Sequence, residues 1–500
     1  MYLSLLVFVC GGAVMALEIV GSRFFAPYIG TSIVVWTSLI GMVMAGLSCG
    51  YMLGGIYGDK WKSLSKLRQI VGASGVWILL IIVIRDPLLG VLSSTVDSVM
   101  ITAIVGTAVL LLVPSVLLGM VTPYAIRLSV QKVDTVGHIA GKLSALSTLG
   151  SIAGTFLAGF ALVPSAGTTA ILFGIATVLV LTAALGTKPQ HVNAALLFLL
   201  SAGIFLQINT AERALAYAKN GVLSSVDTPY SSMQVQKLTD TRSDREFYLL
   251  RIDGGTHGAM YTNSSDMVFE YTKYYRAADV WRPNAERALL IGGGSYTVAR
   301  DYLARHTDSA IDVVEIDPAV TETAREYFGL TDDERMRIFH EDARIFLNRE
   351  GPKAGENMTE KYEVVFGDAF RSESTVPFHL TTKEAVQKIY TLLDENGVYL
   401  LNVIGSLEGP RSMFPKAQLA TLSTVFPSTL VLDVHEDLEP TAMRNIMLIA
   451  SKAPLDTYNL SLLDAELASL LQHTMHSPNW GEEATVLTDN YAPVEAMLHL

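Results

Sequence analysis

The distribution of apolar and polar positions changes once along the chain. From Met1 to about Asn209 it is a series of apolar blocks, and from Glu212 onward it has the mixed pattern of a globular domain. A helix needs roughly 20 apolar residues to cross a bilayer. Seven blocks are candidate spans, at residues 3–20, 33–57, 70–84, 99–120, 143–163, 168–185 and 194–208, the third short and the seventh only just long enough. The first is not a signal peptide, because it lacks a basic flank and further spans follow. Lys60, Lys62, Lys66 and Arg68 lie between the second and third blocks, and Arg127, Lys132 and Lys142 between the fourth and fifth. Basic loops face the cytoplasm, which puts the N-terminus inside. Seven spans then carry the second half outside, whereas the cofactor argued below is made in the cytosol. The side of the membrane facing the site therefore stays open.

Within the blocks, Gly50 and Gly54, and again Gly150 and Gly154, recur at the spacing that lets helix backbones approach closely in lipid. Glu18 lies inside the first block, where a carboxylate is costly unless paired or near water. Arg23 is a candidate partner, and binding of a substrate or proton is the alternative role. Asp59, beside Lys60, marks the end of the second span.

In the second half the alternation of Ser232 to Leu238 and of Glu246 to Ile252, closed by Asp253-Gly254-Gly255, predicts antiparallel strands joined by a turn. A helix is expected over 267–281. Strands and helices then alternate, the signature of a parallel, doubly wound sheet. The strand Ala288 to Ile291 runs into Gly292-Gly293-Gly294-Ser295, a turn whose glycines let backbone approach a ligand at the following helix N-terminus. Three later strands each carry an acid at the carboxyl end, where open α/β sheets bind ligands: Glu315 with Asp317, Asp342, and Asp368. Glu315, about 20 residues past the glycines, suits the ribose hydroxyls. Asp342 suits the adenine amino group and Asp368 a reacting amine.

Composition narrows the reading. Half of the 500 residues are hydrophobic and only 17% charged, against about a quarter in soluble proteins, which supports a membrane portion. The net charge of −12 argues against a nucleic-acid surface. The two cysteines, Cys10 and Cys49, both in apolar blocks, exclude a disulfide framework and a cysteine-based metal site, and no metal is expected. The predicted architecture is a multi-pass α-helical membrane domain (1–209), a small β subdomain (210–262) and a Rossmann-like, class I methyltransferase-type domain that holds an adenosyl cofactor (263–500). The expected partners are a small-molecule substrate and the lipid bilayer; a homo-oligomer stays open.

The stretch from Tyr230 to Asn402 resembles the spermidine synthase family, and more closely its membrane-fused relatives. The likeness rests on Asp253-Gly254, Leu289 to Gly294, Val314-Glu315-Ile316-Asp317-Pro318, Asp342-Ala343 and Tyr362 to Asp368. Val376 to Thr382 and the tail Leu487 to Glu495 resemble the fused subfamily, as does the membrane half. The resemblance implies transfer of the three-carbon chain of S-adenosylmethionine or its decarboxylated form to a nucleophile, with methylthioadenosine leaving. It implies that Asp368 helps deprotonate the amine, and that Glu315 and Asp342 hold ribose and adenine. Three positions depart from the family: Ser295 and Arg371 stand where it has aspartates, and His257 where it has a glutamine. Arg371 or His257 could hold a carboxylate retained on the cofactor. That opens aminocarboxypropyl transfer, or displacement by the cofactor's own carboxylate, as a second reaction; methyl transfer and a non-catalytic sensor or transporter are further alternatives. Tyr271, Tyr274 and Tyr275 are candidates for an aromatic wall beside the sulfonium.

Overall fold

A computed structural model describes residues 1–500 except 31, 97, 132, 242, 265, 351–360, 370–375, 436, 456–464, 466–467, 469–479, 481–483 and 500. The chain divides into two compact units, Met1–Asn220 with Val226–Ser232, and Gly221–Ser225 with Met233–Leu500.

The first unit is helical. Among the described residues, six helical stretches are long and apolar enough to cross a membrane: Tyr2–Ile29, Ile33–Trp61, Leu64–Thr95, Val99–Ser129, Val136–Ser165 and Pro189–Ile208. The sixth expected span, residues 168–185, is the shorter helix Thr168–Ala184. The helices exceed the predicted blocks because polar residues at their ends continue the backbone pattern; Leu64–Thr95 extends the short third block on both sides. Pro189–Lys219 likewise runs past the apolar stretch that ends near Ile208.

Close glycine contacts hold the unit together. A Cβ on Gly150 would overlap the carbonyl of Phe8, and one on Gly154 that of Gly12, so helices Tyr2–Ile29 and Val136–Phe156 meet backbone to backbone. Gly50 meets Val116 and Gly119 in the same way, and Gly54 meets Met120. Replacing Gly154 by leucine is expected to force these helices apart and to lower the melting temperature of the detergent-solubilised protein. Gly159→Leu, with open space around it, should leave that temperature within about 2 °C. Glu18 is half-buried on helix Tyr2–Ile29, and Asp59 pairs with Arg127.

The second unit contains two sheets. Strands β1 (Val222–Asp227), β2 (Ser232–Asp240), β3 (Arg245–Ile252) and β4 (Gly255–Tyr261) form a four-stranded sheet in chain order. The β2–β3 and β3–β4 pairs are antiparallel, as the alternation predicts. The helix expected over 267–281 is broken into Glu270–Lys273, a 3-10 turn Tyr274–Ala277, and Ala278–Trp281.

The larger sheet uses β5 (Arg287–Ile291), β6 (Ala310–Val314), β7 (Met336–Phe339), β8 (Tyr362–Gly367), β9 (Leu393–Gly405), β10 (Ser428–Asp433) and β11 (Arg444–Ser451). Their spatial order is β10-β11-β9-β8-β5-β6-β7. Strands β5 to β9 pair in parallel, and β11 runs antiparallel between β9 and β10. This is the Rossmann-like, methyltransferase-type arrangement. Apolar runs such as Ala288 to Ile291 and Val364 to Phe366 are buried, as strands covered on both faces require. The strand order reverses between β5 and β8, and the crevice at the carboxyl ends of strands at such a switch point is where ligands bind.

Candidate active site

Strand β5 ends in a turn that only small residues can make. Gly292 has φ of 98° and Gly294 of 51°, and a Cβ on Gly292 would overlap the carbonyl oxygen of Asp368. The Asp368 backbone N–H donates to Ile291 O at 2.8 Å, so the ends of β5 and β8 are stitched together at the switch point. Tyr296 enters the left-handed region at φ 57°, costly for a bulky residue. It is held there because its N–H donates to Gly293 O at 2.7 Å and its hydroxyl bonds Thr321 Oγ1 at 2.6 Å. Helix Thr297–Arg305 starts directly after it.

Glu315 follows β6 and folds back over the glycine turn. Its Oε2 accepts from the Gly293 N–H at 2.8 Å and its Oε1 from the Asp317 N–H at 2.9 Å. Burial pushes the Glu315 carboxyl up, while these backbone donors pull it back towards the ionised form. The carboxylate is thus fixed beside the turn. Asp317 Oδ1 accepts from Ala319 N at 3.1 Å and caps the next helix, Pro318–Tyr327. Ser295 is buried, its Oγ 2.7 Å from Thr297 Oγ1. His257 lies on β4, half-buried, with its carbonyl oxygen against Gly294.

Asp368 stands just past β8. Its Oδ1 accepts from Asn402 Nδ2 at 3.0 Å and its Oδ2 from the Tyr271 hydroxyl at 3.3 Å. Burial pushes its carboxyl up to about 6, against the opposing pull of the Asn402 and Tyr271 hydrogen bonds. An acid poised near neutrality in a polar cradle can exchange protons with substrate at physiological pH. Of the three candidate tyrosines, Tyr271 touches Asp368, and the Tyr275 hydroxyl donates to Gly367 O at 2.7 Å. Tyr274 packs into the hydrophobic core instead. Arg371 lies outside the described residues.

Asn402 is a site residue that motif reasoning misses. It sits on β9 within Tyr399-Leu-Leu-Asn-Val-Ile, 2% exposed, and its Oδ1 accepts from Asn445 Nδ2 at 3.1 Å. The signal that could have found it is a polar amide inside an apolar run, since a buried amide needs partners. Asp342 follows β7 and caps helix Ala343–Glu350, accepting from Arg344 N at 2.7 Å, with Ala343 buried beside it.

Residues 276–451 match the spermine/spermidine synthase domain family. Over 236 residues, 46% of this chain, the sequence is 28% identical to a polyamine aminopropyltransferase of Vibrio vulnificus and covers 75% of that protein. It is also 28% identical over 214 residues to an eEF1A lysine and N-terminal methyltransferase of Bos taurus, covering 41% of this chain and 28% of the relative. A solved structure of a probable spermidine synthase from Corynebacterium glutamicum aligns with a TM-score of 0.45 at 20% identity, over 55% of this chain and 97% of that one.

Proposed function

From a C-terminal half that is spermidine synthase-like, we propose a transferase that moves the three-carbon chain of an S-adenosylmethionine-type co-substrate to a small amine. The amine nitrogen attacks the chain carbon bonded to the sulfonium. The carbon–sulfur bond breaks, its electron pair returns to sulfur, and methylthioadenosine leaves as a neutral thioether. The proton on the attacking nitrogen passes to Asp368 and from there to solvent. Asp368 carries this reading: a half-buried carboxylate with a raised pKa, at the carboxyl end of β8, oriented by Asn402 and Tyr271. An ammonium is not a nucleophile until a base takes its proton. The sulfonium is already electrophilic, so positioning supplies much of the remaining catalysis.

The glycine turn and Glu315 take the ribose, and Asp342 the adenine. The helical unit, with six stretches long enough to span, anchors the enzyme in the cell membrane as a multi-pass protein. Of the departures that pointed towards a carboxylated cofactor, Arg371 lies outside the described residues. Ser295 bonds Thr297. The likeness to polyamine aminopropyltransferases favours transfer to an amine, with decarboxylated S-adenosylmethionine as donor.

The test is product identification by mass spectrometry. Purified full-length protein is incubated with intact or decarboxylated S-adenosylmethionine, each with and without putrescine. The expected product is methylthioadenosine, formed only with the decarboxylated donor and amine together. Methylthioadenosine from the intact donor without amine would replace transfer with cleavage or cyclisation, and S-adenosylhomocysteine would replace it with methyl transfer.

A further inference from the structure

Two sequence motifs have no part in the chemistry above, the block Val376 to Thr382 and the tail Leu487 to Glu495. They converge at Asp342. Asp342 Oδ1 accepts the N–H groups of Arg344 at 2.7 Å and Ile345 at 3.3 Å. Its second oxygen, Oδ2, lies 3.2 Å from His379 Nε2. His379 sits on the 3-10 turn Phe378–Leu380, its ring set edge-on against Phe378.

That turn is held in place from the far end of the chain. Arg344 Nη1 donates to the His379 carbonyl at 2.7 Å and to Thr382 Oγ1 at 3.2 Å. The same guanidinium pairs with Asp489. Thr382 Oγ1 donates to Asp489 Oδ1 at 2.6 Å, and the Asp489 N–H donates to Glu384 Oε2 at 2.9 Å. Asp489 thus holds Arg344, which binds the His379 carbonyl, and Thr382, which ends the block.

An ionised carboxylate has about four lone-pair sites. Two backbone donors fill two of them on Oδ1, and the imidazole nitrogen beside Oδ2 leaves one site open on that oxygen. Side-chain exposures of 28% for Asp342 and 35% for His379 keep that site reachable. A carboxylate held by two donors with a ring against its other oxygen cannot rotate away from an incoming donor. We propose that His379 is a positioning residue: as its Nε2–H tautomer it donates to Asp342 and, buttressed by Asp489, orients that carboxylate to accept from the 6-amino group of the adenosyl ligand. This rests on the reading of Asp342 as the adenine end of the cleft.

The experiment measures equilibrium binding of two nucleosides, methylthioadenosine and methylthioinosine, to the full-length protein by calorimetry. The second carries an oxygen in place of the amino group. Wild type is expected to prefer methylthioadenosine. H379A should weaken methylthioadenosine binding about tenfold, the value of roughly one hydrogen bond to a charged group, and narrow the preference between the nucleosides. H379Q, which retains an N–H donor, should recover part of both. D489N, remote from the ligand, should shift them in the same direction by less, and it decides the matter if H379A does not fold. In turnover, KM for the donor rises while kcat is nearly unchanged. H379A binding like wild type, or losing affinity equally for both nucleosides, overturns the proposal alone. If wild type binds neither nucleoside, the adenosyl reading falls and takes this inference with it.

Discussion

Replacing Asp368 by asparagine is expected to lower amine-dependent turnover by about 10²–10⁴-fold while methylthioadenosine binding survives. Asparagine keeps the shape and can still accept from Asn402 Nδ2, with its own amide donating to the Tyr271 oxygen, so the cradle persists without a base. Wild-type turnover should rise with pH through about 6, as the Asp368 carboxyl ionises. The variant should lose that limb. Stability moves the other way. The folded pKa lies above the ordinary carboxylate value, so the folded state binds the proton more tightly. Its contribution to stability is complete below the unfolded pKa near 4 and is lost as pH rises through about 6. At neutral pH the neutral amide escapes that penalty. The variant should therefore melt no lower than wild type at pH 7.5, which separates loss of chemistry from loss of fold. Unchanged turnover would remove Asp368 from the mechanism.

The parts of this architecture that are legible in the sequence are those written in local pattern. Strands β5, β6, β7 and β8 are apolar runs ending in a glycine or an acid, so both their direction and their ligand ends can be read. The apolar helices are readable by length, though not their ends, because a helix can continue through polar residues after its apolar stretch has stopped. What cannot be read depends on distant pairing. Asn402 contacts Asp368 only because β9 lies beside β8, and Asp489 reaches Arg344 across about 145 positions of sequence. The broken helix around Tyr271 to Tyr275 is a related case. Tertiary contacts, the Tyr271 hydroxyl to Asp368 and the Tyr275 hydroxyl to Gly367, accompany a backbone that periodicity alone would have left continuous. Asp317 shows the opposite limit. An acid at a strand end is both a ligand-contact and a helix-cap signal, and Asp317 Oδ1 caps the next helix, a use the spacing alone does not separate from the first.

Gly292→Ala should damage binding, chemistry and stability together, because one atom meets three constraints. Its φ of 98° is a conformation that L-residues rarely adopt, a strain of order 1–3 kcal/mol. The added Cβ would also overlap the Asp368 carbonyl and press on Ala369 N, both backbone atoms that cannot swing aside as a side chain would. Relief requires β5 and β8 to separate at the switch point. That movement strains the bond from Asp368 N to Ile291 O and shifts the Asp368 carboxylate. A displacement near 1 Å is enough to cost about 10²-fold in rate. The expected result is turnover down by about 10²-fold or more, weaker methylthioadenosine binding and a melting temperature lower by roughly 5 °C. Gly329→Ala provides the contrast. Its φ is 64°, so it carries backbone strain, but its nearest neighbour is the flexible Arg300 side chain at 3.4 Å. It lies between helix Pro318–Tyr327 and the start of β7, away from the carboxyl ends of the strands. That variant should lose stability and keep its activity. If both alanine variants lost activity alike, strain rather than the meeting of Gly292 with Asp368 would explain the effect. The switch point would then not be where the two halves of the site are joined.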